Sequence, residues 1–320
     1  MSEQPLINVT NLKMYFPFKD GLFKTKYIKA VDDVSFNINK GETFGLVGES
    51  GCGKSTTGRA ILRLLTATEG KVYFEDKDIF SLGSKELLRL RKHMQIIFQD
   101  PFASLNPKLR VFDIIEEPLK FHGVNSKKER RKVAEEVMET VGLDPNMGRR
   151  FPHEFSGGQQ QRIGIARALV LKPKFIVCDE AVSALDVSVQ AQVLNLLEDL
   201  KKDFGLTYLF ISHNLSVIKH ISDRIGVMYL GKMVEIGTSE QIFKNPLHPY
   251  TKALISSIPI PDADKKRNRI ILEGDVPSPA DPPLGCRFHT RCYSKTVGCD
   301  CTQPGLKEIE DGHFVACIRY

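Results

Sequence analysis

No stretch of the 320 residues approaches the ~18 consecutive apolar residues that a helix needs to cross a bilayer. The opening Met1-Ser2-Glu3-Gln4-Pro5 lacks the apolar segment of a secretory signal. Together these absences predict a chain that works in the cytoplasm. Excess charge is also small. A net charge of +6 suits a nucleotide or an anionic membrane surface, and gives no argument for nucleic acid as a partner. There is no internal repeat and no low-complexity tract, so repeat architectures are set aside. Cysteine is nearly missing from the first 285 residues, where only Cys52 and Cys178 occur; the other five crowd between Cys286 and Cys317. In a cytoplasmic chain such a cluster points to metal ligands rather than disulfides. Cys52 and Cys178 read as small buried residues. What remains is ordinary for a globular protein: 42% hydrophobic and 26% charged residues, in a length that suits one large or two modest domains.

The strongest local signal is Gly48-Glu49-Ser50-Gly51-Cys52-Gly53-Lys54-Ser55, which fits the P-loop pattern G-x-x-x-x-G-K-S/T. An apolar run at 43–47 precedes it and reads as a buried strand. After it, Ala60, Ile61, Leu64 and Leu65 are spaced for a helix over 56–65. Strand, glycine loop and helix are the context the motif requires. Glycines let backbone N–H groups converge on phosphate oxygens, and the helix start adds positive dipole character. Lys54 reaches β- and γ-phosphates, the Ser55 hydroxyl suits Mg²⁺, and Thr56 continues the helix start.

Residues 6–13 and 34–38 alternate apolar and polar side chains, as antiparallel, half-buried strands do. Between them, 19–29 is basic and reads as an exposed loop. Strands follow at 70–74 and 94–98. Composition shifts at Pro101, and a helical insertion is expected over about 101–165. Within it, 126–141 presents Val133, Val137, Met138 and Val141 on one face, with Lys127, Lys128, Glu129, Arg130 and Arg131 read as solvated. Beyond it come a helix over 159–171, a buried strand at 175–178, a helix over 189–204, a buried strand at 207–211 and a hairpin at 225–236 around Gly231. Alternating strands and helices imply a parallel α/β core. From Asn245 onward prolines and cysteines rise. The expected organisation is therefore a nucleotide-binding domain over 1–244 and an extension over 245–320.

Asp179-Glu180 ends an apolar strand downstream of the P-loop, where a carboxylate holds the Mg²⁺ shell and the next one polarises an attacking water. Gln99 and His213 also end strands, where ligand groups collect in α/β sheets. Gln99 is assigned to the Mg²⁺ or the attacking water. His213 is assigned to the γ-phosphate and to holding Glu180 or the water in place. Ser156-Gly157-Gly158-Gln159 is a second anion-binding helix start, with Ser156 as its cap. One chain then has two such starts and one P-loop, which head-to-tail pairing of two subunits would resolve.

Taken together, these residues resemble the ATP-binding subunits of ABC transporters. Ser156-Gly157-Gly158-Gln159 is similar to that family's signature loop, Gln99 to its Q-loop, Ser183-Ala184-Leu185-Asp186 to its D-loop and His213 to its switch histidine. The resemblance implies a P-loop NTPase of the ABC cassette class, with a RecA-like parallel core, an antiparallel β subdomain, a helical insertion and a small Cys-rich carboxyl-terminal extension. Phe16, or Tyr15, is placed like the aromatic that stacks on adenine. Departures are Phe155 for leucine, Ala181 for proline and Asn214 for aspartate.

The segment Asn245-Pro246-Leu247-His248-Pro249-Tyr250-Thr251 and the cysteines resemble the ends of oligopeptide and dipeptide importer ATPases. Gly51-Cys52-Gly53 and Gln190-Ala191-Gln192 resemble their second, F-type subunit. That likeness implies an ATPase paired as a heterodimer with a second ATPase subunit, at the cytoplasmic face of the membrane. Two membrane permeases and an extracellular peptide-binding protein would complete the importer. Nickel or sugar cargo is the alternative, and a soluble ABC ATPase a further one. Four thiolates suit tetrahedral zinc as well as an iron–sulfur cluster, and on chemistry alone zinc is favoured. The resemblance reverses this: it implies a 4Fe–4S cluster on Cys286, Cys292, Cys299 and Cys317, with Cys301 free.

Overall fold

A computed structural model describes residues 4–21, 24–258 and 269–320. Alternation at the amino end becomes β1 (Ile7–Asp20), which buries Ile7, Val9, Leu12 and Met14. Its antiparallel partner is β2 (Lys24–Ile38), paired from Ile7 opposite Ile38 to Asp20 opposite Lys24 with register shifts between Val9 and Tyr15. The loop expected over 19–29 is therefore largely strand. Continued ladder pairing satisfies the backbone there, and a 2.6 Å ion pair between Asp20 and Lys26 ties side chains that project beyond the core. Leu22 and Phe23 lie outside the described residues. Next comes the fully buried β3 (Thr43–Val47), then α1 (Lys54–Ile61), which starts two residues earlier than its apolar spacing predicts. The strands β4 (Glu69–Phe74) and β5 (Lys77–Asp78) complete a four-stranded antiparallel sheet in the order β2-β1-β4-β5.

Residues 81–211 cluster as one unit, and 1–80 with 212–320 as another. The 81–211 unit opens with α2 (Ser84–Arg91) and β6 (Met94–Ile97), then α3 (Pro101–Ser104) and α4 (Val111–Phe121). The sequence reading did not resolve α4, although Val111, Phe112, Ile114, Ile115 and Leu119 are all buried on it. Pro118 inside it hides the signal. Next is α5 (Lys127–Thr140), capped by Ser126, with Ala134 and Met138 buried. Its charged face is not simply solvated: Arg131 Nε donates to the buried Glu116 at 2.6 Å, and Arg130 lies 3.7 Å from the same carboxylate. A buried carboxylate on α4 needs counter-charge, and α5 supplies it. The helices α6 (Gly157–Leu169) and α7 (Val187–Phe204) alternate with the buried strands β7 (Phe175–Asp179) and β8 (Thr207–Ile211). β6, β7 and β8 pair in parallel in the order β8-β7-β6. On α7, Val193, Leu194, Leu197 and Leu200 are buried, as their spacing predicts.

The chain re-enters the first unit through α8 (Leu215–Ile221) and the hairpin β9 (Arg224–Tyr229)–β10 (Lys232–Thr238). Leu230 and Gly231 both have positive φ, as a two-residue hairpin turn of the favoured twist demands. β9 runs parallel to β3 and antiparallel to β10, so the sheet is mixed. After α9 (Ser239–Lys244) and α10 (Pro249–Ser256), the extension contributes β11 (Lys307–Glu310) and β12 (His313–Val315). β12 pairs with β10, giving the order β11-β12-β10-β9-β3 in this unit. A buried polar knot holds this end in place. Glu235 accepts the N–H groups of Leu247 and His248 at 2.8 and 2.9 Å, and His313 Nε2 lies 2.8 Å from the same carboxylate. Its oxygens, removed from water, are thus met by fixed donors.

Candidate functional site

In the first unit the P-loop joins β3 to α1. Gly53, at the start of α1, has φ 103°, and a Cβ there would lie 2.1 Å from the Ala30 carbonyl oxygen; a Cβ on Gly48 would lie 2.2 Å from that of Met228. Only glycine fits either place. Gly53 offers α1 no side-chain cap, and the first turn carries no acidic residue. First-turn N–H groups have no helical acceptor, so this start suits an anion. Lys54 is buried, and its ammonium is held by the carbonyls of Gly48 and Glu49 at 2.8 and 2.9 Å. Carbonyl acceptors leave its charge unneutralised, ready for a phosphate. Cys52 is buried 3.7 Å from Lys54 Nζ, and burial pushes its thiol pKa up. As the sequence predicts, it is a packed thiol.

In the 81–211 unit Glu180 follows β7 with φ 51°. A left-handed conformation is uncommon for a residue with a Cβ, and such positions gather at functional sites. It is held there from both sides: its N–H donates to Ile211 O at 3.0 Å, and its carbonyl accepts from the Ser183 N–H at 3.0 Å and hydroxyl at 2.9 Å. Gln99 Nε2 donates to Glu180 Oε2 at 3.0 Å, so two of the expected residues meet. Asp179 is buried at the end of β7. Ala181 and Val182 are also buried, so alanine in place of proline leaves this turn packed.

Ser156 caps α6 as expected. It accepts from the Gln159 N–H at 3.4 Å, while Gln159 Oε1 accepts the Ser156 N–H at 3.0 Å, a reciprocal capping box. Ser156 and Gly157 are exposed, and a Cβ on Gly158 would lie 2.4 Å from Val189 Cγ1. His213 is exposed in the first unit, just before α8. Asn214 caps that helix by accepting from the Ser216 N–H at 3.0 Å, a task for which asparagine serves as well as aspartate. Of the two candidate aromatics, Tyr15 is engaged: its hydroxyl donates to Asp32, and burial and this bond push its pKa up. Phe16 is exposed, which favours it as the stacking ring.

The cysteine expectation changes. All seven are free thiols, and Cys301 is exposed. Among the described residues no group of three or more His, Cys, Asp or Glu stands close enough to hold a single metal ion. This arrangement supports neither the zinc alternative nor the 4Fe–4S cluster expected on Cys286, Cys292, Cys299 and Cys317. Cys286 is pushed up to about 11 by burial, with smaller contributions from Cys299, Cys317 and Cys292, so the four sense one another's charge.

Residues that sequence reasoning missed lie in the extension of the same unit. Tyr250 Oη accepts the Glu49 N–H at 2.9 Å, and Arg291 donates to the Glu49 carboxylate. Arg287 donates to Asp32 and to the Leu230 carbonyl. Tyr229 packs edge-on against Tyr250 and Phe288, which are tilted against each other. The arginines stand inside the Cys286–Cys292 segment, where the cysteines absorb attention; two arginines flanking a buried phenylalanine were the available signal.

Comparison with known proteins agrees with this geometry. The family described as "ABC transporter" matches residues 31–183, and "Oligopeptide/dipeptide transporter, C-terminal region" matches 234–299. A Bacillus subtilis protein named putative oligopeptide transport ATP-binding protein YkfD is 57% identical, with 100% of this chain and 97% of the relative covered. The oligopeptide transport ATP-binding protein OppF of Salmonella typhimurium is 52% identical over 98% of this chain and 96% of its own. Among solved structures, the ATP-binding cassette MJ0796 bound to ADP and Pi superposes with a TM-score of 0.64 and 32% identity, over 73% of this chain and 98% of that one. The chain belongs to the ABC transporter ATPase family, in the branch that carries the oligopeptide/dipeptide transporter carboxyl-terminal region.

Proposed function

We propose that this chain binds ATP at Gly48–Thr56 and hydrolyses it to ADP and phosphate to energise import of oligopeptides or dipeptides through membrane permease partners. No helix among the described residues is long and apolar enough to cross a membrane. Lys54 and the P-loop amides bind the phosphates and Phe16 stacks on the base. Glu180 takes a proton from the attacking water, Gln99 holds Glu180 in line, and His213 orients the γ-phosphate side. Ser55, Asp179 and the Gln99 amide oxygen would hold Mg²⁺; a hydroxyl, a carboxylate and an amide oxygen suit a hard cation. When bound, that ion neutralises charge on the phosphate oxygens. The observation that carries the reading is the 3.0 Å bond from Gln99 to a Glu180 held in a left-handed backbone, downstream of a P-loop with a buried, carbonyl-held lysine.

Glu180→Gln keeps shape and removes the base. Turnover should fall at least about a hundredfold, with ATP affinity kept. Hydrolysis within about tenfold of the parent chain would remove Glu180 from the role.

The finer assembly is part of the same proposal: a cassette over 1–244, an extension over 245–320, a heterodimer with a second ATPase subunit, and a place at the cytoplasmic face, with peptide delivered by an extracellular binding protein. Cys286, Cys292, Cys299 and Cys317 are proposed to hold a 4Fe–4S cluster. What supports the reading is the electrostatic reach of Cys299, Cys317 and Cys292 to Cys286, whose pKa each of them raises. Iron and acid-labile sulfide analysis of anaerobically purified protein tests this. Stoichiometric zinc without iron would overturn it.

A further inference from the structure

Glu49 puts a carboxylate on a loop whose other features serve a polyanion. It is the second residue of the P-loop, beside the carbonyls that hold Lys54. A negative side chain there opposes an incoming triphosphate, since a like charge within the Debye length of about 8 Å is felt. The extension answers it. Arg291 Nη1 lies 2.9 Å from Glu49 Oε2 and 3.2 Å from Oε1, in a part-buried pair. The same nitrogen lies 3.4 Å from Tyr229 Oη, and the guanidinium carbon 6.0 Å from that ring's centre. Tyr250 Oη accepts the Glu49 N–H at 2.9 Å, so both ends of the residue are held. Arg291 itself closes the short turn His289–Arg291, its N–H donating to the Phe288 carbonyl.

We propose that Arg291 is a positioning residue for nucleotide. It cancels the Glu49 charge and fixes the Glu49 carbonyl that carries Lys54, and thereby keeps the P-loop receptive to ATP. The inference rests on the reading of Gly48–Thr56 as the nucleotide site. It requires nothing of the cysteines beyond a folded turn.

The test is equilibrium binding of ATP and of adenosine to the full-length chain, with steady-state hydrolysis in the assembled transporter. Arg291→Met keeps an unbranched, flexible stem and removes the charge. ATP affinity should fall about tenfold and KM rise in step, while kcat at saturating ATP holds. Adenosine, which carries no phosphate, should bind as before. The loss should shrink as salt rises. Glu49→Gln added to Arg291→Met should restore ATP affinity to within about twofold of the parent, because the charge to be cancelled is gone. A purely structural role for Arg291 would weaken adenosine too and would not be rescued. Arg291→Met that binds ATP normally, or a double variant as weak as the single one, overturns the inference. Lys54→Ala run in parallel separates the two readings: if it also binds ATP normally, the nucleotide-site assignment fails instead.

Discussion

The molecule has two glycine-rich helix starts, and they are built in opposite ways. At α1 the cap is Gly53, with no side-chain bond to the first turn. The loop before it is pinned from within its own unit: by the Ala30 and Met228 carbonyls against its glycines, by the Gly231 N–H donating to Cys52 O, and by Tyr250 and Arg291 on Glu49. At α6 the cap is Ser156, locked in a reciprocal box with Gln159, and Ser156 and Gly157 are exposed. At the first start the cap offers its first-turn N–H groups no side-chain acceptor, which suits a bound anion. The second is already in part satisfied and faces outward. A start of the first kind suits a resident nucleotide; one of the second suits a surface offered to another subunit's nucleotide. In the proposed function the same residue chemistry would serve two purposes, distinguished by what caps it and what surrounds it.

The larger expected effect breaks the comparison on the α1 side through pH. His248 is fully buried, and its Nδ1 accepts the Tyr250 N–H at 3.1 Å, capping α10, the helix that carries Tyr250 to Glu49. Burial pulls its pKa down from 6.5 to about 4, with Glu235 opposing and Lys252 adding slightly. A group whose folded pKa lies below its unfolded one stabilises the fold above the unfolded value, and that stability is lost as pH falls. The window is pH 6.5 down to about 4, and the loss approaches about 3 kcal/mol at its lower end. His248→Asn keeps a capping acceptor without titrating. Denaturant unfolding of the two proteins across this window should show a pH slope in the parent that is shallower in the variant, while the Gly157–Leu169 helix start contributes none of the difference. Parallel slopes would remove His248 from the role.

How much of this was legible in the sequence depends on whether the signal was local. β3, β7 and β8 are short apolar runs closed by candidate site residues, and they appear where their composition places them. The cap at Ser156 and the buried face of α7 are equally local. The bond from Gln99 to Glu180 spans 81 positions; the sequence brings each residue to the end of a strand but assigns Gln99 to the Mg²⁺ or the attacking water rather than to Glu180. What was not legible came from pairing at a distance. β1 and β2 run on through a basic, polar stretch because each supplies the other's hydrogen bonds. Glu116 draws Arg130 and Arg131 out of a face that composition alone gives to water. β12 joins β10 across 78 residues at His313 and Glu235, and nothing in the short run at 313–315 marks it as a sheet strand. The link from Arg291 to Glu49 spans 242 positions and joins a surface-like segment to the most diagnostic motif in the chain.

The smallest expected effect tests the α6 side. Ser156→Ala removes the hydroxyl that accepts the Gln159 N–H and leaves Gln159 its own bond to the residue 156 amide. Loss of a serine cap costs about 1 kcal/mol, so the isolated chain should unfold at slightly lower denaturant with an unchanged slope. Its own P-loop lies on another helix start with another cap, so ATP affinity of the isolated chain should not move. Hydrolysis by the assembled transporter should fall, because the proposed target of this helix start is the partner's nucleotide. Ser156→Arg should deepen that loss, since a long side chain now fills an exposed approach. ATP affinity of the isolated chain that drops with Ser156→Ala, while assembled turnover holds, would show that α6 serves this chain's own nucleotide. The contrast between the two helix starts would then be one of capping alone.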